Sequence, residues 1–347
     1  MRALTLTAPG GIEFLKVQDV APPSAPDPGW ALVRVRAAAL NHLDLFVADG
    51  LPGIRPPFPF PVGADGAGTV SSVGAGVTNV RPGDDVLIDP GVSCGACALC
   101  RAGNEPLCER FGILGEHLPG TMAELVAVPA LNLAPKPPAM PWPQAAAFSL
   151  ATLTAWRMLT TRARLTAGES VLVWGAGGGV AQAAIAIAVH LGARVIATSS
   201  RPEGRDRARA LGAGIVIDPR GEDVVAAVKA ATDGRGADVV VDSVGQDSWE
   251  RTLRSVARGG RVVTCGATSG PGLALDARRL FWRQWSILGS SMGSLAEFRA
   301  IVALAAAGKL WPIVDQVVPL EEAVQAYRRL SAGQQTGKLV IEVVSHG

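Results

Sequence analysis

The feature that most constrains the fold of this chain is a glycine-rich run between a short apolar segment and a stretch of small apolar residues. Residues 170–174 predict a strand, the glycines that follow predict a tight turn, and residues 178–190 predict a helix. The alternation continues, with strands predicted at 195–197, 215–217, 239–241 and 262–264 and a charged helix at 203–211. Strands and helices that alternate in this way predict an α/β fold with a doubly wound parallel sheet.

The glycine-rich turn has the composition that a dinucleotide phosphate requires. Glycine lets the backbone turn sharply and approach a pyrophosphate, whose charge is favoured by the N-terminus of the next helix. The common spacing G-x-G-x-x-G fails, because Val180 stands where its last glycine would be. The spacing G-x-x-G-x-x-A fits, at Gly175, Gly178 and Ala181. The residues predicted to bind the nucleotide, including two that follow later strands, are Gly175, Gly178, Gly179, Val180, Gly266 and Ser290.

The end of the second predicted strand bears on which nucleotide binds. A ribose with a free 2′-hydroxyl is usually held by an acidic residue about 20 residues after the loop. This strand instead ends in Ser199, Ser200 and Arg201, with no carboxylate. Hydroxyls and a guanidinium suit a 2′-phosphate. We therefore predict NADPH as the cofactor, with NADH as the alternative if Arg201 only faces water.

Four of the five cysteines fall on one short segment, with the spacing Cys94-x2-Cys97-x2-Cys100-x7-Cys108. Four thiolates with no open position are typical of a tetrahedral structural zinc, which stabilises a lobe without taking part in chemistry. The alternatives are an iron–sulfur cluster or disulfides. Cys265 stands alone after an apolar segment and is predicted to be a small buried residue. We expect one structural zinc per chain.

Charge and composition favour an enzyme that acts on small molecules. The 32 Lys and Arg residues nearly balance the 30 Asp and Glu residues, so there is no bulk electrostatic argument for nucleic acid or an anionic membrane as partner. No uninterrupted apolar stretch of about 20 residues occurs, and the N-terminal residues lack the apolar core of a signal peptide. We expect a cytoplasmic protein with a small-molecule substrate and no membrane partner.

Residues 1–150 have a different pattern, rich in strands and turns. Strands are predicted at 31–37, 70–80 and 86–88. Near the C-terminus the sequence predicts a helix at 295–307, a strand near 313, a helix from 320 and a strand at 339–343. Because these last elements have no glycine-rich loop of their own, we expect them to return to the first domain. The expected division is 1–150 with 292–347, including a cysteine lobe at 91–110, and 151–291.

Several short motifs make the chain resemble the medium-chain dehydrogenase/reductase superfamily over almost its full length. They are the segments 39–44, 63–68, 81–84 and 153–156, the cysteine lobe, the glycine-rich loop, Gly259-Gly260-Arg261 and Gly337-Lys338. The resemblance implies a GroES-like, β-rich catalytic domain interrupted by a Rossmann domain. It also implies a hydride-transfer cleft between the domains and assembly as a homodimer or homotetramer.

The chain departs from the zinc alcohol dehydrogenases of that family where they bind their catalytic metal. The resemblance places Asn41, Ala64 and Leu150 at the three ligand positions, and Leu43 where a proton-relaying hydroxyl is expected. None of these side chains is a usual zinc ligand. In this respect the chain is similar to the zinc-independent quinone oxidoreductase branch.

Without a Lewis acid, hydride delivery is easier to an acceptor that is already electron-poor, such as a quinone or an α,β-unsaturated carbonyl. Asn41 is predicted to donate an amide hydrogen to the developing oxyanion, and His42 to donate a proton or contact the cofactor phosphates. His117 is a second candidate acid, and Asp44 is expected to orient its neighbours. The alternatives are that Asn41 only caps backbone groups at a strand end and that His117 is a surface residue. Tyr327 is expected in the core.

Two rival functions remain open from the sequence. The first is a zinc alcohol dehydrogenase with an atypical ligand set. Its candidate ligands are His42 or His117 with carboxylates from Asp44, Asp65 or Glu116. The second is a nucleotide-binding protein without catalytic turnover.

Overall fold

Residues 1–343, which a computed structural model describes, divide into two units. Unit 1 comprises Met1–Ala151 and the chain from Gly293 onward, and unit 2 comprises Thr152–Met292. The strands, in chain order, are β1 (Arg2–Leu6), β2 (Leu15–Asp19), β3 (Trp30–Ala39), β4 (Phe60–Pro61), β5 (Asp65–Val73), β6 (Asp85–Ile88), β7 (Gly91–Val92), β8 (Gly112–Ile113), β9 (Leu125–Pro129), β10 (Leu133–Pro135), β11 (Ser170–Val173), β12 (Arg194–Thr198), β13 (Ile215–Ile217), β14 (Ala237–Val241), β15 (Val256–Thr264), β16 (Ser286–Gly289), β17 (Val314–Pro319) and β18 (Lys338–Glu342).

The α-helices of the described residues are distributed over both units. They are α1 (His42–Asp49), α2 (Ala98–Arg101), α3 (Trp142–Ala146), α4 (Ser149–Arg157), α5 (Gly179–His190), α6 (Pro202–Ala210), α7 (Val224–Ala230), α8 (Gln246–Ser255), α9 (Ala277–Arg283), α10 (Leu295–Ala306) and α11 (Ala323–Ser331). Within residues 1–343, no helix combines the length and the apolar character needed to cross a bilayer.

Unit 2 contains one six-stranded sheet in the order β13-β12-β11-β14-β15-β16, and every neighbouring pair is parallel. This is the strand order of a doubly wound dinucleotide-binding fold. The central strands β11 and β14 are rich in Val and largely buried, as expected when helices cover both faces of a sheet. The predicted parallel α/β architecture is confirmed.

Unit 1 is built mainly on antiparallel strands. Its largest sheet has the order β10-β6-β5-β3-β18-β17, with β9 also paired to β3, and a smaller sheet has the order β2-β1-β4. The long strand β3 lies between β5 and β18, so it joins the N-terminal part of this unit to the C-terminal part. Tyr327 on α11 is fully buried in the core of this unit, as predicted.

The register between β3 and β18 determines what lies at the end of the sheet. Ala39 of β3 pairs with Val340 of β18, and the Leu40 main-chain N–H donates to Leu339 O at 2.9 Å. The chain leaves β3 at this point and enters α1. The first residue of β18, Lys338, is therefore brought beside the start of α1.

Three sequence predictions differ from the structure. The strand predicted at 70–80 is wrong beyond Val73, because the chain leaves the sheet at Gly74, where a Cβ would fall 1.9 Å from Asp27 O. Helix α1 lies in a region predicted to contain only strands and turns. Cys265 is half-buried rather than buried, although desolvation of its thiol raises its pKa to about 12.

Candidate functional site

Asn41 occupies the N-cap of helix α1, one residue after the end of the sheet. Its main-chain N–H donates to the Asp44 carboxylate (Oδ2) at 2.6 Å, which fixes the first turn of the helix. The predicted orienting role of Asp44 agrees with this contact. The Asn41 carboxamide also contacts residues that are distant in the chain. Asn41 is therefore a helix-capping residue by position, while its carboxamide is engaged elsewhere.

Lys338, Asn41 and Asp65 form a buried hydrogen-bonded network. The Lys338 ammonium (Nζ) donates to Asn41 Oδ1 at 2.6 Å and to Asp65 Oδ2 at 2.8 Å. The Asn41 amide (Nδ2) donates to Asp65 Oδ2 at 3.0 Å. The exposed fractions are 4% for Lys338, 0% for Asp65 and 9% for Asn41. A charged amine this deeply buried is expected only where a carboxylate and further hydrogen bonds compensate it.

The Asp65 carboxylate is satisfied on both oxygens. Its Oδ1 accepts from the Leu150 main-chain N–H at 2.7 Å, while Oδ2 accepts from Lys338 and Asn41. Thr121 also donates its hydroxyl hydrogen to Asp65 O at 2.6 Å. Asp65 therefore joins strand β5, the segment at Leu150 and the start of β18.

The hydrogen bonds of this network bear on whether its oxygen atoms could hold a metal ion. The resemblance implies that Asn41, Ala64 and Leu150 stand at the ligand positions of the zinc alcohol dehydrogenases, and of these side chains only that of Asn41 has an atom able to bind a metal. The Asn41 oxygen and the Asp65 carboxylate both accept from an ammonium instead. Among residues 1–343, only the four clustered cysteines bring three or more His, Cys, Asp or Glu ligand atoms together.

Burial controls the charge of the other two candidates in this region. Desolvation, and then the positive charge of Lys338, lower the pKa of His42, so its imidazole is neutral near pH 7. Desolvation raises the pKa of Asp44 to about 7, although hydrogen bonds from Asn41 and Ala64 and the charge of Lys338 oppose the shift. The Asp44 carboxyl is therefore partly protonated near neutral pH rather than fully ionised.

His117 lies outside the Lys338 network. Its Nδ1 accepts from the Ile113 main-chain N–H at 3.3 Å, and its side chain is 39% exposed. The loop that carries His117 packs tightly on the main chain of unit 1, since a Cβ at Gly115 would lie 2.5 Å from Gly63. No contact joins His117 to Asn41 or Asp65 among the contacts of the described residues. Its role as an acid stays a prediction.

The four cysteines predicted to bind zinc converge. The sulfur atoms of Cys94, Cys97, Cys100 and Cys108 all lie within 4.8 Å of one another, and all four are free thiols. Main-chain N–H groups of Ala96 and Cys97 donate to Cys94 Sγ at 3.5 and 3.3 Å. These hydrogen bonds lower the pKa of Cys94 to about 5, which favours the thiolate that a metal requires.

The glycine-rich loop lies at the carboxyl end of the central strand β11. Gly175 has a φ of +71°, which favours glycine, and Gly178 is the N-cap of α5, where no side chain caps the helix. A Cβ at Gly178 would have only Gly175 O within 4 Å, at 3.6 Å, so the loop is open at this position. Free helix N–H groups beside an open glycine backbone fit a pyrophosphate.

The other residues predicted to bind the nucleotide lie at the same edge of the sheet, since they follow the carboxyl ends of parallel strands. Gly266 follows β15, and Ser290 follows β16, with its main-chain N–H bound to Thr264 O at 2.8 Å. Val180 lies in the first turn of α5 and Gly179 begins that helix. Strand ends of this kind line the ligand crevice of doubly wound folds.

Between the end of β12 and the start of α6 the structure shows contacts of Ser199 and Arg201 that were not predicted. The Ser199 hydroxyl donates to Arg201 O and accepts from the Arg201 main-chain N–H, both at 3.3 Å, so it is already engaged with the main chain. The Arg201 guanidinium (Nε) lies 3.7 Å from the carboxylate of Glu203, whose side chain is 64% exposed. Glu203 lies two residues after Arg201, in the first turn of α6, so a carboxylate does follow the end of β12.

A substitution of Asp65 tests the importance of the buried ion pair for stability. Asp65→Asn leaves the Lys338 ammonium without its counter-ion, and breaking a buried pair in this way typically costs about 3–5 kcal/mol. Urea unfolding followed by circular dichroism should show a loss of this size. The exposed Asp206→Asn, which removes a partner of Arg209, is the control and should change stability by less than about 0.5 kcal/mol. A loss below about 1 kcal/mol for Asp65→Asn would contradict the assignment.

Asp44 should make stability depend on pH. Its pKa is about 7 in the folded chain against a reference value of 3.8. Between these values the folded chain keeps a proton that the unfolded chain releases, so stability should fall as pH rises, by at most about 1.4 kcal/mol per unit. Asp44→Asn does not titrate, so its stability relative to the native chain should rise from pH 4 to pH 7 and then level off. A constant difference across this range would show that the native carboxyl has an ordinary pKa.

Comparison with known proteins places both units in one family. Residues 27–138 match the alcohol dehydrogenase GroES-like domain, and residues 179–307 match the family described as zinc-binding dehydrogenase. A NAD-dependent alcohol dehydrogenase of Sulfolobus acidocaldarius is 33% identical over 352 residues, which cover 99% of this chain and 100% of that protein. A quinone oxidoreductase of Rattus norvegicus is 29% identical over 349 residues, covering 98% of this chain and 97% of that protein.

A solved structure extends the likeness to three dimensions. The crystal structure of a NAD-dependent alcohol dehydrogenase matches with a TM-score of 0.95 and 45% identity, covering 99% of this chain and 100% of that one. The first unit is thus GroES-like and the second is a Rossmann domain, as predicted. Both domain matches and the full-length relatives show that this chain belongs to the medium-chain dehydrogenase/reductase superfamily and is an oxidoreductase of that family.

Proposed function

We propose that this chain is an NAD(P)-dependent oxidoreductase that reduces a quinone or an α,β-unsaturated carbonyl without a catalytic metal ion. The observation that carries the proposal is the Lys338–Asn41–Asp65 network, which fills the region where zinc alcohol dehydrogenases of this family bind their metal. A site of amide and ammonium donors can stabilise a developing oxyanion, but it offers no open coordination position. The quinone oxidoreductase among the relatives supports this substrate class.

The dinucleotide, when bound, supplies the hydride, and the residues of the chain bind and orient it and its acceptor. The glycine-rich loop and the start of α5 hold the pyrophosphate by main-chain N–H groups. The second group of residues is the Lys338–Asn41–Asp65 network. Hydride addition to an enone or quinone shifts an electron pair onto the carbonyl oxygen of that acceptor. An N–H group of the buried network stabilises that oxygen. His42, neutral near pH 7, and Asp44, with a pKa of about 7, are groups able to exchange a proton there.

The second candidate function is interconversion of an alcohol and a carbonyl compound, which the names of several relatives favour. It would need a Lewis acid or a strong acid beside the reacting oxygen. The atypical zinc set considered from the sequence, His42 or His117 with nearby carboxylates, is not assembled in residues 1–343. This observation supports the proposal of a reductase over that of an alcohol dehydrogenase.

The cysteine cluster is proposed to hold one structural zinc per chain. Four sulfur ligands leave no position for substrate, so the ion would stabilise the lobe and supply no catalysis. A chelator that removes this ion should loosen the lobe without changing the donors of the Lys338 network.

Metal analysis combined with a substrate panel tests the proposed function. We expect one zinc per chain, turnover of NAD(P)H with quinones and enones, and little turnover with simple alcohols. Brief treatment with a chelator should leave the initial rate unchanged, because no step uses the metal. Two zinc ions per chain, with alcohol oxidation that the chelator abolishes, would establish the rival function instead. Dinucleotide binding without oxidation of the cofactor by any acceptor would indicate a non-catalytic protein.

We propose NADPH as the preferred cofactor because Arg201 and Ser200 stand at the end of β12. Glu203 acts in the opposite sense, since its carboxylate lies near the guanidinium and would repel a 2′-phosphate. The relatives named as NAD-dependent make a direct comparison of the two cofactors necessary. The Arg201–Glu203 pair is therefore the feature on which this proposal is tested.

Substitution of the two partners separately tests this assignment. Arg201→Ala should weaken NADPH binding by about 1–3 kcal/mol and NADH binding much less, as for a charged hydrogen bond. Glu203→Gln should strengthen NADPH binding and weaken NADH binding. Arg209→Ala, on the same helix but paired with Asp206, is the control and should change neither. The dissociation constants of NADPH and NADH are measured by nucleotide fluorescence for each variant. An equal loss of affinity for both cofactors in Arg201→Ala would show that Arg201 does not contact the 2′-phosphate.

A further inference from the structure

The hydrogen bonds of the buried network determine which way the Asn41 carboxamide faces. A carboxamide has an accepting oxygen and a donating nitrogen, an ammonium only donates, and a carboxylate only accepts. Lys338 donates to Asn41 Oδ1 at 2.6 Å, and Asn41 Nδ2 donates to Asp65 Oδ2 at 3.0 Å. A flip of the amide would set its N–H groups against the ammonium and its oxygen against the carboxylate. The two charged partners therefore lock one orientation.

Among residues 1–343, one hydrogen of the locked amide has only a weak acceptor. The first Nδ2 hydrogen is bound by Asp65, and the other contact of Nδ2 is with Ala39 O at 3.5 Å, the limit of a hydrogen bond. Asn41 is also the least buried of the three residues, at 9% exposed against 4% for Lys338 and 0% for Asp65. The weak contact with Ala39 O and the partial exposure of Asn41 both favour binding of an additional acceptor by the second Nδ2 hydrogen.

The ammonium also changes the donor strength of that amide. A cation bound to a carboxamide oxygen draws electron density from nitrogen, so the N–H groups become better donors in a buried, low-dielectric setting. The Asp65 carboxylate neutralises the ammonium, so the network presents a polarised amide and no isolated buried charge.

We infer that Lys338 is a positioning residue for the reaction, acting through Asn41, and that the second Asn41 amide N–H is the donor to the carbonyl oxygen of the substrate. This inference rests on the proposed reduction of a quinone or enone. Hydride supplied by a bound reduced dinucleotide would add to the β-carbon, the C=C electron pair would form the new double bond to the carbonyl carbon, and the C=O π pair would move onto the oxygen. The enolate oxygen would accept a hydrogen bond from the Asn41 N–H. A proton from solvent would then bind to the α-carbon and complete the product.

A double-mutant cycle tests whether Lys338 acts through Asn41. Asn41→Ala and Lys338→Met should each lower kcat with an enone by roughly 10²-fold, the effect of losing one oxyanion donor, with KM and the dinucleotide dissociation constant nearly unchanged. The double variant should be no slower than Asn41→Ala by more than about 2-fold. Lys338→Arg, which keeps charge and donors, should restore much of kcat. Lys309→Met, at an exposed lysine, is the matched control and should match the native rate.

The outcomes separate the inference from the proposed function. Multiplicative losses in the double variant, or a native kcat for Lys338→Met, would overturn the positioning role. Failure of the proposed function appears in the native enzyme, as an absence of quinone and enone turnover, before any variant is made.

A structural measurement covers the case in which Lys338→Met does not fold. A crystal structure of the native enzyme with oxidised dinucleotide and cyclohexanone, an unreactive saturated ketone, should place the ketone oxygen about 2.7–3.2 Å from Asn41 Nδ2. Lys338 should remain on Asn41 Oδ1. A ketone oxygen more than about 4 Å from Nδ2, or an amide whose oxygen faces the ketone, would overturn the assignment.

Discussion

The buried ion pair between Lys338 and Asp65 is the interaction on which the candidate site depends. The two residues are 273 positions apart in the chain, and their side chains meet at 2.8 Å. Removing both charges from water is costly, and their attraction offsets that cost only when the other donors and acceptors are satisfied. Asn41 and the Leu150 main chain provide those partners. The pair thereby fixes the start of α1, strand β5 and strand β18 relative to one another.

The same pair places a buried ammonium group beside the Asn41 carboxamide. An ammonium carries a fixed positive charge and only donates hydrogen bonds, whereas zinc polarises an oxygen by direct coordination. The cysteine lobe does not depend on the Lys338–Asp65 pair, because its four cysteines come from one short segment and converge without residues from elsewhere in the chain. A chain of this family can therefore keep the lobe while its other ligand positions hold Asn41, Ala64 and Leu150.

The sequence predicted the parts of the structure that local patterns specify. Helix α5 and strands β11 to β14 of the Rossmann domain appear within a few residues of their predicted ranges, since buried parallel strands are short apolar runs bounded by turns. Strand β15 begins at Val256 rather than at residue 262, and β16 was not predicted. Helix α1 was missed because its start depends on the Asn41 cap and the Asp44 hydrogen bond rather than on a long apolar period. The strand predicted at 70–80 is shorter in the structure because the chain turns after Gly74, where the Val77 main-chain N–H donates to Gly74 O at 3.4 Å and Gly76 has a φ of +79°.

From the sequence by itself, the parallel sheet, the glycine-rich turn at its centre and the convergence of four cysteines were determined, because each depends on residues close together in the chain. The tertiary structure alone decided that Lys338 meets Asn41, a contact between residues 297 positions apart. It also decided that Glu203 approaches Arg201 and that the Ser199 hydroxyl bonds to the Arg201 main chain. The physical reason is that such contacts follow from strand order, register and side-chain direction, which periodicity and spacing do not specify.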